Sequence, residues 1–262
     1  MDFETLSYDV SDGVATITIN RPEAANAMSP ECAAEFSRAA LLSDDDPEVR
    51  AVVLTGAGRM FCAGGDLSAF AAAGAGARSL LKQMAGDLHM GLSRLARSAA
   101  PVIAAVNGTA AGAGFSLVMA CDLAVAARSA VFTMAYTRAG LSPDGSSTFF
   151  MPRKIGDRRT RELMLTNRVL NAEEALSWGI VNEVVDDGAA LTRATELARQ
   201  LAVGPTRAYG AVKTLLNGSF EQTLESQMEL EARTIAELSV SEDGREGIQA
   251  FLEKRRPAFT GR

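Results

Sequence analysis

Two glycine-rich segments hold the residues of this chain best suited to chemistry. Phe61-Cys62-Ala63-Gly64-Gly65-Asp66-Leu67 follows the apolar run Ala51-Val52-Val53-Leu54-Thr55. Asn107-Gly108-Thr109-Ala110-Ala111-Gly112-Ala113-Gly114 follows Pro101-Val102-Ile103-Ala104-Ala105-Val106. Each leads into a segment that reads as helix. A strand-to-helix turn without bulky side chains lets backbone N–H groups approach a ligand, and the helix start behind it favours negative charge. Two such donors on one oxygen form an oxyanion hole, which stabilises charge developing on a carbonyl. Taken singly, each turn has a structural alternative, since glycine also serves tight turns and close packing. A dinucleotide-binding reading is the weaker one on motif grounds. Leu117 stands where the third glycine of G-x-G-x-x-G is required, and the P-loop Lys-Ser/Thr pair is missing from both segments.

Other reactive side chains are few. His89 is the only histidine, which excludes histidine metal clusters and a Ser-His-Asp triad. It sits in a helical stretch from Arg78 to Arg97 among leucines and methionines at helix spacing, and reads as a surface or packing residue, not a base. Cys32, Cys62 and Cys121 are odd in number, widely spaced and flanked by apolar residues, as expected of reduced buried thiols in a cytoplasmic protein. Asp144 follows Pro143 and precedes Gly145-Ser146-Ser147-Thr148, a position that reads first as a helix N-cap. Nearby Ser142 and Ser146 could hydrogen-bond it or serve only local turns.

The elements that must position these groups come next. Leu6–Val10 and Gly13–Asn20 read as a strand pair with Asp12-Gly13 as the hairpin signal. Ser29-Pro30 starts a helix that places Cys32, Phe36 and Ala40 on one face and ends at Asp44-Asp45-Asp46-Pro47. The alanine- and glycine-rich run from Phe70 to Ala77 is expected to form a mobile lip over a pocket. Asn171 with Glu174 is a capping-box pair, and Gly179 ends that short helix. From Leu191 onward the chain reads as helices broken at Gly204-Pro205, Asn217-Gly218 and Gly244. The whole has 262 residues, 47% hydrophobic and 22% charged, which suits a soluble globular protein with a sizeable core. A net charge of −6 argues against nonspecific nucleic-acid binding. Asp2 and Glu4 near the start are unlike a secretory leader, and no apolar run approaches a membrane span.

Taken together, the segments resemble the crotonase (enoyl-CoA hydratase/isomerase) superfamily over essentially the whole chain and in the family's order. The similarity begins with Val14-Ala15-Thr16-Ile17-Thr18-Ile19-Asn20-Arg21-Pro22 and Asn26-Ala27-Met28 and passes through both glycine-rich turns. It continues with Cys121-Asp122-Leu123-Ala124-Val125-Ala126, Gly140-Leu141-Ser142-Pro143-Asp144 and Ala175-Leu176-Ser177-Trp178-Gly179-Ile180-Val181-Asn182. It closes with Glu246-Gly247-Ile248-Gln249-Ala250-Phe251-Leu252-Glu253-Lys254-Arg255. The resemblance implies an α/β fold, a crotonase-like spiral of stacked β-β-α units over residues 1–198. A C-terminal helical oligomerisation region, 199–262, would build a homotrimer or a hexamer of paired trimers.

The resemblance also implies chemistry. The substrate would be an acyl-CoA thioester, with no separate cofactor and no metal. The N–H groups of Gly65 and Ala113 would hold the thioester oxygen. Ala24, Ala27, Ala63, Asp66, Leu67 and Gly112 match segments lining the CoA channel, and Phe259 matches an aromatic that can reach a neighbouring subunit's CoA or dock on its own core. Family hydratases use two glutamates, but the matching positions hold Ser116 and Tyr136, which leaves these to orient substrate. Asp144 stands in the context where the isomerase branch keeps its acid/base carboxylate, in a pocket expected near Phe70, Met134, Leu141 and Phe149. The expected activity is double-bond isomerisation of a 3-enoyl-CoA or a related epoxyphenylacetyl-CoA-type isomerisation. The alternatives are an enoyl-CoA hydratase, an aroyl-CoA dehalogenase with Asp144 as nucleophile, for which a water-activating histidine is wanting, and a non-catalytic acyl-CoA binder.

Overall fold

The computed structural model describes residues 3–262, so Asp2 lies outside it. The chain opens with an antiparallel hairpin, β1 (Leu6–Ser11) and β2 (Val14–Ile19). Asp12 and Gly13 both have positive φ, the backbone that a two-residue hairpin turn requires. Helix α1 (Pro30–Asp45) starts where expected, with the Ser29 side chain accepting from the Cys32 N–H and Pro30 in the first turn. Its buried face includes Cys32, Phe36 and Ala40.

The chain then winds as a spiral in which each turn gives one strand to each of two sheets. The first turn is β3 (Ala51–Gly56), β4 (Met60–Cys62), α2 (Leu67–Ala72) and α3 (Ala77–Arg97). The second is β5 (Val102–Val106), β6 (Thr109–Ala111) and α4 (Ala113–Ala120). The third is β7 (Leu123–Ala127), β8 (Val131–Thr133), α5 (Ser147–Ile155) and α6 (Asp157–Thr166). A short β9 (Leu170–Asn171), α7 (Ala172–Ser177) and β10 (Glu183–Val185) complete it, with the Asn171–Glu174 capping box formed. The six-stranded sheet runs β1-β2-β3-β5-β7-β10 and the four-stranded sheet β4-β6-β8-β9. This is the crotonase spiral the sequence resemblance implies.

The central strands β3 and β5 of the larger sheet are buried on both faces, so they read as continuous apolar runs. Val52 and Leu54 face the main core, whereas Ala51 and Val53 join a second cluster under α8 (Ala190–Ala202). Ala194, Ala198 and Ala202 present a flat face to the sheet at helix spacing. A domain boundary at 198/199 would cut this helix. The sheet needs α8 as its cover, and the chain leaves the core only after Ala202. Beyond it run α9 (Thr206–Gly218), α10 (Leu224–Ser239) and α11 (Glu242–Glu253). Among the described residues, α10 buries none of its side chains and exposes Leu224, Met228 and Ile235.

Helices α1 and α3 approach closely over Gly91, where a Cβ would lie 2.6 Å from the Phe36 ring. That contact sets the depth of α3, the helix that carries His89. The alanine- and glycine-rich segment expected as a lip forms α2 and a single turn, Gly74–Gly76. No helix among the described residues is long and apolar enough to cross a membrane.

Candidate active site

Strands β4 and β6 are parallel neighbours, with Met60 opposite Thr109 and Cys62 opposite Ala110. The turns that follow them therefore lie side by side. Gly64 has φ +105°, and a Cβ on it would lie 3.1 Å from the Ala111 carbonyl oxygen and 3.5 Å from Gly112 Cα. A Cβ on Gly114 would overlap the Cys62 carbonyl oxygen. Glycine is required here because two backbones touch. Around Gly65, Met28 N–H donates to Gly64 O and Asp66 N–H to Met28 O. Ala113 opens α4, so its N–H belongs to the first turn, which lacks helical partners. Among the described residues, neither Gly65 nor Ala113 N–H donates a hydrogen bond.

Both residues open on a largely apolar cavity of about 360 Å³ that is also lined by Phe70, Leu88, Leu141 and Asp144. The Asp144 main chain is firmly held. Its carbonyl oxygen accepts from Ser116 Oγ at 2.8 Å, Ser147 Oγ at 2.9 Å and Tyr136 Oη at 3.2 Å. Ser116 Oγ and Tyr136 Oη are 3.1 Å apart, and burial pushes the Tyr136 phenol up, so it stays protonated. Gly145, at φ +62°, presses against Ser116, where a Cβ would come within 2.9 Å of the Ser116 Cβ. The carboxyl is thereby left free of the helix start. Ser146 is the N-cap of α5 and uses no side chain for it. The Asp144 side chain bonds instead to His89, with Oδ1 2.7 Å from Nε2. Both groups are partly exposed, 38% for Asp144 and 49% for His89.

The family model for enoyl-CoA hydratase/isomerase matches residues 9–262, essentially the whole spiral and the helices beyond it. The chain belongs to the enoyl-CoA hydratase/isomerase family. This crotonase is 42% identical over 262 residues, all of both chains, to "Probable enoyl-CoA hydratase" of Rhodobacter capsulatus. It is 41% identical over 260 residues to 1,2-epoxyphenylacetyl-CoA isomerase of Escherichia coli, covering 99% of each. It is 40% identical over 231 residues to 4-chlorobenzoyl coenzyme A dehalogenase-2 of an Arthrobacter species, 88% of this chain and 84% of that one. The crystal structure of an enoyl-CoA hydratase from a Polaromonas species superposes with a TM-score of 0.92 at 37% identity, over 97% of this chain and 99% of that one. The relatives thus share one scaffold and differ in reaction, so the choice among reactions rests on the side chains in the cavity.

Of the residues that the sequence marks for this crotonase's site, Ala63, Gly65, Leu67, Gly112, Ala113, Tyr136 and Asp144 line the cavity. Ser116 lies fully buried behind its wall. Ala24, Ala27 and Asp66 stand outside it. Asp66 caps α2 and pairs with Arg21 at 3.0 Å, and the Ser68 hydroxyl and that guanidinium hold its carboxyl below its ordinary range. Phe259 also lies elsewhere, its ring against Gly247 of α11 and its carbonyl accepting from Arg50. Phe70 and Leu141 face the cavity as expected. Met134 does not, being wholly buried, and Phe149 turns to a second cavity beneath Arg153. Asp144 is no side-chain cap, and neither Ser142 nor Ser146 bonds its carboxyl. His89, which the sequence assigns to surface or packing, is half-exposed on α3, but it also has a partner that the sequence does not suggest. Helix α3 carries it to Asp144, 55 residues away, and no local spacing encodes that meeting. Among the described residues there is no group of three or more His, Cys, Asp or Glu side chains able to hold a metal ion.

Proposed function

We propose that this crotonase is an acyl-CoA isomerase that moves a double bond through an enolate, with Asp144 as acid/base and the Gly65 and Ala113 N–H groups as oxyanion donors. One observation carries the reading. Among the described residues, Asp144 is the only carboxylate lining the cavity onto which both glycine turns open. A thioester oxygen placed between the two N–H groups gains charge as the C2 proton leaves, and fixed donors in a largely apolar cavity lower the cost of that charge. The carboxylate takes the proton from C2 and returns it at C4 of the same planar dienolate, so one base on one face suffices. Ser116 and Tyr136, at the positions of the hydratase glutamates, hold the Asp144 backbone and offer no carboxylate to activate water.

A second reading is favoured by one specific contact. His89 at 2.7 Å from Asp144 supplies the histidine that a dehalogenase-like route requires, in which Asp144 attacks an aroyl ring and water then cleaves the ester. The experiment is a side-by-side assay of the wild-type enzyme on a 3-enoyl-CoA, a 2-enoyl-CoA and 4-chlorobenzoyl-CoA. The isomerase reading expects double-bond migration with neither hydration nor chloride release. Chloride release without migration would replace it with the nucleophilic reading, and hydration would show that a water-activating group exists.

A further inference from the structure

Gly65 is a glycine that its own backbone does not require, since its φ lies outside the left-handed range. What a Cβ would meet there is the Phe70 ring, with Cζ at 3.0 Å and Cε2 at 3.2 Å. The bare Cα of residue 65 thus lets the far edge of the ring rest on the oxyanion turn. The start of α2 brings the ring to this place. Asp66 N–H donates to Met28 O, the Asp66 carboxylate caps the helix and pairs with Arg21, and Phe70 N–H donates to Asp66 O at 3.3 Å. Gly65 and Phe70 both line the acyl cavity, so the ring edge flanks the donor on the side where a thioester enters.

The geometry of a thioester decides what such an edge selects. Its oxygen, C1, C2 and sulfur share a plane, and in the enolate the two remaining substituents of C2 lie in that plane as well. One sits beside the oxygen and the other beside the sulfur. In a linear acyl group one of the two is hydrogen, which takes the crowded place beside the oxygen. With a branch at C2, or with C2 inside an aromatic ring, both are carbon. The oxygen lies about 2.9 Å from the nitrogen of each donor, so a carbon beside it presses on the oxyanion turn where the Phe70 edge already packs.

We propose that Phe70 is a specificity-determining residue that restricts this crotonase to acyl-CoA thioesters with a single carbon substituent on C2. Straight-chain 3-enoyl and arylacetyl groups pass, because each presents a CH2 at C2. Acyl groups branched at C2 and benzoyl-type groups are rejected by a clash rather than by a missing contact. This deepens the isomerase reading above and rests on its placing of the thioester oxygen between Gly65 and Ala113.

The test pairs unreactive thioesters in calorimetry with reactive ones in turnover. Wild type is expected to bind hexanoyl-CoA at least about tenfold more tightly than benzoyl-CoA. Its kcat/KM for 3-hexenoyl-CoA should exceed that for 2-methyl-3-hexenoyl-CoA about 10–100-fold, the usual size of one methyl refused by a packed wall. Phe70→Leu keeps an apolar, helix-forming side chain but lacks the Cε and Cζ atoms of the ring. It should relax both preferences about tenfold, whatever its absolute rates, whereas partial unfolding lowers both members of each pair together. Phe70→Met, whose flexible chain fills irregular gaps, is the second variant if leucine does not support folding, and it should relax both preferences in the same direction. Wild type that binds benzoyl-CoA as tightly as hexanoyl-CoA, or preferences unmoved in a folded variant, would overturn the role of Phe70. Migration of the double bond in 3-hexenoyl-CoA would then leave the isomerase reading standing. No migration, with the binding preference present and relaxed by Phe70→Leu, would overturn the isomerase reading and leave the selection at C2 in place.

Discussion

Asp144 is useful because its backbone is pinned and its carboxyl is not consumed as a cap. Three hydroxyls hold its carbonyl oxygen, so removing one should move the carboxyl only slightly. Tyr136→Phe is expected to lower kcat severalfold with KM nearly unchanged, as measured by steady-state kinetics. Asp66 is a different kind of carboxylate. The Ser68 hydroxyl and Arg21 hold its pKa below the ordinary 3.8, so its contribution to stability is fully present above that value and is lost as pH falls through the lower, folded pKa. Asp66→Asn should therefore destabilise the protein at pH 6, with the gap to wild type closing as the pH falls below about 4, as read from thermal melts. At this scale the sequence, through a resemblance, marks Asp144, Gly65 and Ala113, which line one cavity, but not the contact of His89 with Asp144. A side chain on a helix surface shows no sign of a partner contributed by a loop far along the chain.

The turns depend on the strands before them. Parallel pairing of β4 with β6 places Gly64 against Gly112 and Gly114 against Cys62. The strand-to-helix turns are plain in the sequence because apolar runs, glycines and helix starts are local signals. Their meeting is not, because register between strands some fifty residues apart is set by the whole sheet. Gly114→Ala puts a methyl onto the Cys62 carbonyl and should cost about 1–3 kcal/mol in denaturant unfolding, with loss of activity beyond what the residual folded fraction explains. Ser29→Ala, which removes only the α1 cap, should cost about 1 kcal/mol and leave activity intact. A Gly114→Ala protein as stable and active as wild type would contradict this account of the turns. The 198/199 boundary implied by the resemblance falls inside α8 (Ala190–Ala202). An alanine-rich amphipathic helix looks the same whether it covers a sheet or joins a bundle, and only the tertiary fold assigns α8 to the sheet.

The whole molecule couples a closed core to an open helical flank. Burial pushes the Cys32 thiol up to about 11 and those of Cys62 and Cys121 to about 12. All three should resist thiol reagents at pH 8 until the protein unfolds, so labelling would track global opening. On the flank, Leu224, Met228, Ile235 and Phe251 are exposed apolar side chains on α10 and α11. Contiguous apolar faces of this kind are commonly interfaces. The proposed homotrimer or hexamer predicts a sedimentation mass of three or six chains, reduced toward one by Phe251→Glu. The most direct test of the central claim is the rate of double-bond migration in a 3-enoyl-CoA, compared between wild type and Asp144→Asn, with thioester affinity measured by calorimetry on both. The account predicts that the variant binds the thioester normally and isomerises it about 10²–10⁴-fold more slowly. Migration that survives Asp144→Asn at the wild-type rate would contradict it.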